Sequence, residues 1–290
     1  MSVYIPRYGG MTHKSGADQF SASRVSSLSF RVTPIEYCGR DTAHATGFFW
    51  SYRDQQFLVT NWHVVTWIDP FTGSCLGDKF DFYVPERIRI FATTWPHLDD
   101  NPDYMVPSRK PIEIDLYRDG KPLWIQHPNF EKERIDLIAL PLEPGTLECR
   151  NGKDPAFNGF GFESLFHMVG SDIFAIGYPF KSYEGAMAGL WKRGSFASEP
   201  LLAIDSRPLF FADILGTKGM SGSPVVKRVF GPAAYSDLTI HTDNICCDEF
   251  VGVYAGRLNS TEIDRVGLGY VWHGQLVQEI VENGVAGTTS

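Results

Sequence analysis

Short apolar runs, separated by glycine, proline, aspartate and asparagine, recur along most of the chain. Each run spans four to six residues and is rich in valine, isoleucine, leucine and phenylalanine. Runs of this length between turn-forming residues are typical of short β-strands. Because they do not alternate with helical segments, they predict an all-β protein of the barrel or sandwich type. The predicted strands are Leu28–Val32, Gly47–Tyr52, Phe57–Thr60, Phe80–Val84, Ile88–Ala92, Ile135–Leu140, Ile173–Ile176, Phe210–Ile214, Val225–Val229, Phe250–Tyr254 and Leu268–Trp272.

One segment near the C-terminus has helical spacing instead. Between residues 274 and 284, four apolar side chains recur three to four positions apart and share one face, and Asn283-Gly284 supplies a stop signal. The pattern predicts a C-terminal α-helix. Its apolar face consists of Leu276, Val277, Ile280 and Val281.

The distribution of turn residues predicts two β-rich halves. Residues 1–27 are polar and form a lead-in, and residues 28–145 form the first half. Residues 146–165, rich in proline, glycine, asparagine and charge, are expected to link it to the second half, residues 166–290. Many prolines and aspartates between residues 93 and 134 predict long loops within the first half.

The charge distribution limits the classes of partner. The chain has 290 residues, 43% of them hydrophobic, which is enough for a sizeable core, and its formal net charge is −8. Acidic and basic residues are interspersed, whereas a nucleic-acid-binding surface requires a basic patch. We therefore expect no nucleic-acid partner.

Cysteine usage and the N-terminal residues bear on the compartment. The first 27 residues lack the apolar core of a signal peptide, and no later run approaches the roughly 18 apolar residues of a membrane-spanning helix. An odd number of irregularly spaced cysteines, two of them adjacent, favours reduced thiols. We therefore predict a cytoplasmic protein with no membrane partner. The cysteines are Cys38, Cys75, Cys149, Cys246 and Cys247.

Three segments carry side chains suited to nucleophilic catalysis. Ser221 lies in the sequence Gly219-Met220-Ser221-Gly222-Ser223-Pro224, His63 follows the apolar run Phe57–Thr60, and Asp136 begins another run. A serine hydroxyl is a weak nucleophile at neutral pH, so it needs a base, and the base needs a partner that fixes its tautomer. Glycines around the serine allow a tight turn whose N–H groups can face an oxyanion.

Each segment also has a plainer interpretation. Ser-Gly-Ser sequences occur in flexible linkers, a single histidine is more often a core residue, and Asp136 is suited to a turn or helix cap. Ser221, however, lies between Leu215 and the apolar pair Val225-Val226, where a linker is not expected. The other acids that we considered lie in loops with no apolar strand following them; they are Asp81, Asp99, Asp100, Asp103 and Asp115.

The order His, Asp, Ser is that of chymotrypsin-type enzymes, whereas subtilisins and α/β-hydrolases use other orders. The chain resembles trypsin-like serine peptidases, and specifically HtrA/Deg-like protease domains, over residues 28–283, with no PDZ-like sequence following. This resemblance implies two six-stranded antiparallel β-barrels with the active site between them. It implies Ser221 as nucleophile, His63 as general base and acid, and Asp136 as its orienting carboxylate, with the amides of Gly219 and Ser221 forming the oxyanion hole. The segments that carry it are Gly47-Phe48-Phe49, Phe57–Val65, Ile173–Phe180, Gly252–Gly256 and Gly267–Trp272.

The same resemblance implies the position of a specificity pocket. Leu215 is expected at its base, with Tyr254-Ala255-Gly256 on one wall and Gly267 and Gly269 on another. Because no acidic residue lies at the base, cleavage after arginine or lysine is disfavoured. Because Tyr254 and Ala255 narrow the space, small or medium apolar residues are expected. If Arg257 or Lys218 points inward, acidic residues are preferred instead.

Three functions follow as hypotheses. The leading one is a serine endopeptidase that hydrolyses protein or peptide substrates through an acyl-enzyme. The second is a pseudo-protease that binds peptides without cleaving them, and the third is a peptidase held inactive until a regulatory partner orders its loops. We expect no cofactor and no metal, because the segment from His241 to Asp248 lacks a Cys-x-x-Cys pair and no phosphate-binding loop is present.

Overall fold

The computed structural model describes residues 29–35, 43–76, 84–94, 108–146, 156–180, 188–242, 246–256 and 267–289. Most of the regular structure in these ranges is β-strand. The strands are β1 Ser29–Ile35, β2 Ala45–Tyr52, β3 Gln55–Thr60, β4 Arg87–Thr94, β5 Ser108–Asp115, β6 Tyr117–Arg118, β7 Lys121–Pro122, β8 Ile125–Gln126, β9 Ile138–Pro141, β10 Asp172–Gly177, β11 Leu190–Ser195, β12 Leu209–Ala212, β13 Ser223–Phe230, β14 Ala233–Ala234, β15 Ile240–His241, β16 Cys246–Gly256, β17 Gly269–His273 and β18 Val285–Ala286.

Two antiparallel sheets contain most of these strands. The first has eight strands in the order β18-β8-β9-β3-β2-β1-β4-β5, and the second has six in the order β11-β10-β13-β16-β17-β12. The strands at the centre of the first sheet are apolar on both faces, since β2 and β9 are buried along most of their length. This accounts for their continuous, rather than alternating, apolar runs.

Three α-helices and a 3₁₀-helix complete the described structure. They are α1 Trp62–Thr66, α2 Phe130–Glu133, the 3₁₀-helix Phe157–Phe160 and α3 Gln275–Asn283. The C-terminal helix is the one that the spacing of apolar residues predicts, and its four apolar side chains are buried. Among the described helices, none combines the length and apolar character that crossing a bilayer requires.

One hydrophobic cluster contains side chains from both sheets. Phe48 and Trp50 of β2 contact Phe250 of β16, with ring centroids 5.6 and 5.4 Å apart. Phe157 of the 3₁₀-helix packs on Phe48 at 5.3 Å, and α3 adds its apolar face to the same cluster. The ends of β2 and β3 are therefore held against the second sheet.

The all-β class is confirmed, but the first sheet differs from the predicted six strands. It has eight because the short strands β8 and β18 extend one edge, where Val285–Ala286 pairs with Ile125–Gln126. The stretch 93–134, predicted as loops, contains β5, which pairs with β4 over its whole length. The predicted strand Phe80–Val84 lies outside the described residues except for Val84. The domain boundaries stay a prediction.

Candidate active site

The first sheet brings His63 and Asp136 together. Strands β3 and β9 pair antiparallel, so that Thr60 at the end of β3 lies opposite Ile138 at the start of β9. His63 lies in α1, immediately beyond β3, and Asp136 lies just before β9. Because the end of one strand is adjacent to the beginning of the other, the histidine and the aspartate are neighbours despite their separation in sequence.

Three hydrogen bonds fix this pair. His63 Nδ1 lies 2.7 Å from Asp136 Oδ2, and the His63 amide donates to Asp136 Oδ1 at 2.9 Å. The Asn61 side chain donates to the Asp136 carbonyl at 2.7 Å. A carboxylate at Nδ1 places the ring proton on that nitrogen and leaves Nε2 as the base. The Asp136 side chain is fully buried, whereas that of His63 is 14% exposed, so the base remains accessible.

The second sheet contributes to the surroundings of Asp136 through Tyr270 of β17. Burial raises the pKa of the Tyr270 phenol well above its ordinary value, and the negative charge of Asp136 raises it further. The phenol is therefore protonated at neutral pH, and its interaction with the Asp136 side chain adds to the rise in its pKa. The second sheet therefore contributes a neutral, buried phenol to the surroundings of Asp136.

A tight turn presents Ser221. The Met220 amide donates to the Thr217 carbonyl at 3.1 Å, and the Ser223 amide donates to the Met220 carbonyl at 3.0 Å. The Gly222 amide donates to the carbonyl of Tyr254 at 2.8 Å. Within the described residues, no hydrogen bond is recorded for the amides of Gly219 and Ser221. These are the two N–H groups that the sequence resemblance assigns to the oxyanion hole.

Two glycines in this turn cannot be replaced without a clash. Gly219 has φ +95° and Gly222 has φ +82°, in the region that favours glycine. A Cβ on Gly219 would lie 2.3 Å from the Tyr178 carbonyl oxygen and 2.5 Å from the His44 ring. A Cβ on Gly222 would lie 2.0 Å from the Thr46 carbonyl oxygen. The Ser221 turn is therefore packed directly against the first sheet.

Thr46 of β2 joins the two sheets at this point. Its amide donates to the Ser221 carbonyl at 2.7 Å, and its hydroxyl donates to the Gly219 carbonyl at 2.8 Å. The same hydroxyl accepts from the Tyr178 amide at 3.1 Å, and the Thr60 hydroxyl donates to the Thr46 carbonyl at 2.9 Å. Thr46 is fully buried. The sequence analysis did not identify it, because a threonine before Gly47 carries no distinctive signal.

These contacts place the Ser221 turn beside the segment that carries His63. The Thr60 hydroxyl, which begins the connection from β3 to α1, would lie 2.5 Å from a Cβ on Gly222. No hydrogen bond between Ser221 Oγ and His63 is recorded within the described residues. Nucleophile–base hydrogen bonds are often long without substrate and shorten when substrate binds.

The predicted pocket residues lie in different environments. Leu215 is 55% exposed, whereas Tyr254 and Ala255 are buried. A Cβ on Gly256 would lie 3.8 Å from Ser221 Oγ, so the end of β16 passes beside the nucleophile. Lys218 is exposed, and Arg257 lies outside the described residues. The assignment of these residues to a pocket stays a prediction.

The residues around Cys246 make contacts that stabilise the fold. Arg228 forms two hydrogen bonds with the Asp248 carboxylate, at 2.6 and 2.5 Å, and its guanidinium lies 4.2 Å from the centre of the Trp191 ring. Burial raises the pKa of the Cys246 thiol. The part of the chain that the structure describes contains no group of side chains arranged to hold a metal ion.

The sequence matches no family model, and no curated protein matches it. Among solved structures, the chain is similar to the serine endoprotease from Yersinia pestis, with a TM-score of 0.46 and 15% identity over 93% of this chain and 67% of that one. It is also similar to the active form of the Rv3671c protease from M. tuberculosis, with a TM-score of 0.44 and 14% identity over 99% of this chain and 96% of that one.

Proposed function

We propose that the protein is a serine endopeptidase that hydrolyses peptide bonds of protein substrates through an acyl-enzyme. The observation that carries this proposal is the buried Asp136 carboxylate, which receives both the backbone N–H and the Nδ1 side of His63. A histidine held by a carboxylate in this way, next to a glycine-rich serine turn, is the arrangement that activates a serine hydroxyl.

The reaction proceeds in two halves. His63 Nε2 takes the proton of the Ser221 hydroxyl as its oxygen attacks the substrate carbonyl carbon. The amides of Gly219 and Ser221 donate to the resulting oxyanion, and His63 then gives its proton to the departing amine as the C–N bond breaks. Water, deprotonated by His63, attacks the acyl carbon; the ester C–O bond then breaks, the acid product leaves and His63 returns the proton to Ser221 Oγ. Asp136 stays ionised throughout and stabilises the imidazolium.

A fluorophosphonate probe tests this proposal directly. It reacts with an activated serine, and we expect a single modified residue, Ser221, identified by mass mapping of the labelled peptide. Ser223→Ala is the matched control, because Ser223 is a buried serine two positions away and should not affect labelling. Labelling of Ser223 would contradict the assignment of Ser221 as nucleophile. Labelling of no serine in the folded protein would contradict the peptidase assignment and favour a peptide-binding module without turnover.

A further inference from the structure

Tyr254 is buried next to the nucleophile turn. It lies two residues before the end of β16 and is 1% exposed. Its carbonyl accepts the hydrogen bond from the Gly222 amide, and its side chain belongs to a core cluster with Ile214 and Met220 of the segment that leads to Ser221. Tyr254 is therefore held in place both by a hydrogen bond to its backbone and by the packing of its ring.

The ring of Tyr254 fills the space between two glycines on different segments. A Cβ on Gly216 would lie 1.7 Å from the Tyr254 hydroxyl oxygen, and a Cβ on Gly269 would lie 2.4 Å from Cε2 of the ring. Each glycine thus lies in van der Waals contact with one side of the phenol. No side chain larger than hydrogen fits at either glycine while the ring keeps this position.

This filled space is where a substrate side chain would enter. A carbonyl attacked by Ser221 has to lie about 3–3.5 Å from Oγ. The segment before Ser221, the end of β16 and the start of β17 border one gap beside Oγ, and we expect the side chain on the same residue to enter between them. Gly256 borders this gap near Ser221 Oγ, and a Cβ on Gly267 would lie 3.6 Å from Leu215 Cδ1, so Leu215 and Gly267 border its outer end.

We infer that Tyr254 occupies the specificity pocket of this enzyme and restricts cleavage to sites that follow glycine, alanine or serine. The inference rests on the proposed peptidase function. It is narrower than the sequence-based expectation of small or medium apolar residues, because that expectation placed Leu215 at the base of the pocket and Tyr254 only on a wall. Leu215 is exposed, whereas Tyr254 is buried, so Tyr254 occupies the inner end of the pocket.

Peptidyl diphenyl phosphonates test the inference on the intact protein. They react covalently with an activated serine, and a series that differs only in the residue next to phosphorus reports the pocket alone. We expect the second-order rate constant for modification of Ser221 to be on the order of 10²-fold higher with alanine than with phenylalanine. Comparable rates, or faster reaction with phenylalanine, lysine or glutamate, would overturn the inference while leaving the peptidase function intact.

Tyr254→Ala should reverse the preference. Truncation of a buried aromatic ring leaves a cavity on the order of 150 Å³, which admits a benzene-sized group. We therefore expect the phenylalanine phosphonate to gain at least about tenfold relative to the alanine one. Tyr254→Phe keeps the ring and should keep the wild-type ratio.

Phe196→Ala is the matched control for loosening of the core, because Phe196 is equally buried in the same cluster but its ring contacts Phe210 and His167. It should leave the ratio unchanged; a reversal there would show that general loosening, not Tyr254, sets the preference. If Tyr254→Ala does not fold, the wild-type series alone decides. Failure of the small fluorophosphonate to label Ser221 would reject the peptidase function itself.

Discussion

The two sheets contribute to the site in physically different ways. The first supplies side-chain chemistry, a histidine and a buried carboxylate joined by two hydrogen bonds that form between the ends of neighbouring strands. The second supplies backbone geometry, a serine turn whose two glycines have positive φ and whose shape depends on contacts with the first sheet. The proposed acid–base pair, His63 and Asp136, is assembled within one sheet, whereas Ser221, the proposed nucleophile, is positioned between the two.

This difference predicts different responses to substitution. In the acid–base pair, removing a charge or a proton acceptor changes the chemistry while the backbone keeps its position. In the serine turn, one methyl group added to Gly219 or Gly222 is enough to displace the backbone. The added carbon would lie closer to its neighbours than van der Waals contact allows. Substitutions can therefore separate the chemical contribution from the positional one.

The largest effect is expected for Ser221→Ala. Removal of the nucleophile should lower the rate of peptide hydrolysis by ~10⁴–10⁶ and abolish fluorophosphonate labelling. Because only a hydroxyl at a turn is lost, the thermal unfolding midpoint should stay close to that of the wild type. Retention of full turnover on a peptide substrate would remove Ser221 from the mechanism.

Asp136→Asn should lower the rate by about 10⁴ near neutral pH. The amide preserves the shape of the side chain but favours the wrong His63 tautomer, so that Nε2 loses its lone pair to a proton. The rate of hydrolysis, measured over a pH series, would give the size of the loss. Asp115→Asn is the control, because Asp115 is one of the acids that the sequence analysis set aside. A loss with Asp115→Asn equal to that with Asp136→Asn would contradict the pairing.

The proximity of His63 and Asp136 could be anticipated from sequence because each borders an apolar run. The run Phe57–Thr60 predicts β3, and Ile135–Leu140 predicts the region of β9, so His63 and Asp136 are marked by local pattern. Ser221 is marked by its two glycines, whose conformations the structure shows to be needed. Local signals of this kind suffice to mark the residues that the fold brings together, and their catalytic roles stay a prediction.

Two features escaped prediction because they depend on distant contacts or on an exposed edge. Thr46 acts through a hydrogen bond to Gly219, 173 positions away in the chain, and nothing near it in sequence indicates this. Strand β5 contains Pro111 and charged residues, and it lies at the edge of its sheet, where polar residues and proline are tolerated. Its composition therefore matches a loop as well as a strand.

Gly222→Ala tests the positional contribution of the second sheet. The new methyl would lie 2.0 Å from the Thr46 carbonyl oxygen, so the turn has to shift, and we expect the rate of fluorophosphonate labelling to fall by about 10². Gly231→Ala is the control, because Gly231 has nearly the same φ, +80°, but no neighbouring atom within 4 Å of the added methyl. Equal losses in both variants would assign the effect to backbone strain alone.

The smallest effect is expected for Thr46→Val. This variant tests whether the Thr46 hydroxyl, and not merely its packing, holds the Ser221 turn in place. Valine keeps the shape of the side chain but cannot donate to the Gly219 carbonyl or accept from the Tyr178 amide. A hydrogen bond contributes about 1 kcal/mol, so we expect roughly a tenfold fall in the rate of labelling, with a loss of about 1–3 kcal/mol in the free energy of unfolding because two buried backbone groups lose their partner. Thr46→Ser retains the hydroxyl and should keep most of the rate.

The two variants should give the same pH profile as the wild type, because neither contacts the His63–Asp136 pair. A shifted profile in Thr46→Val would show that the serine turn and the acid–base pair are coupled more closely than the comparison of the two sheets implies.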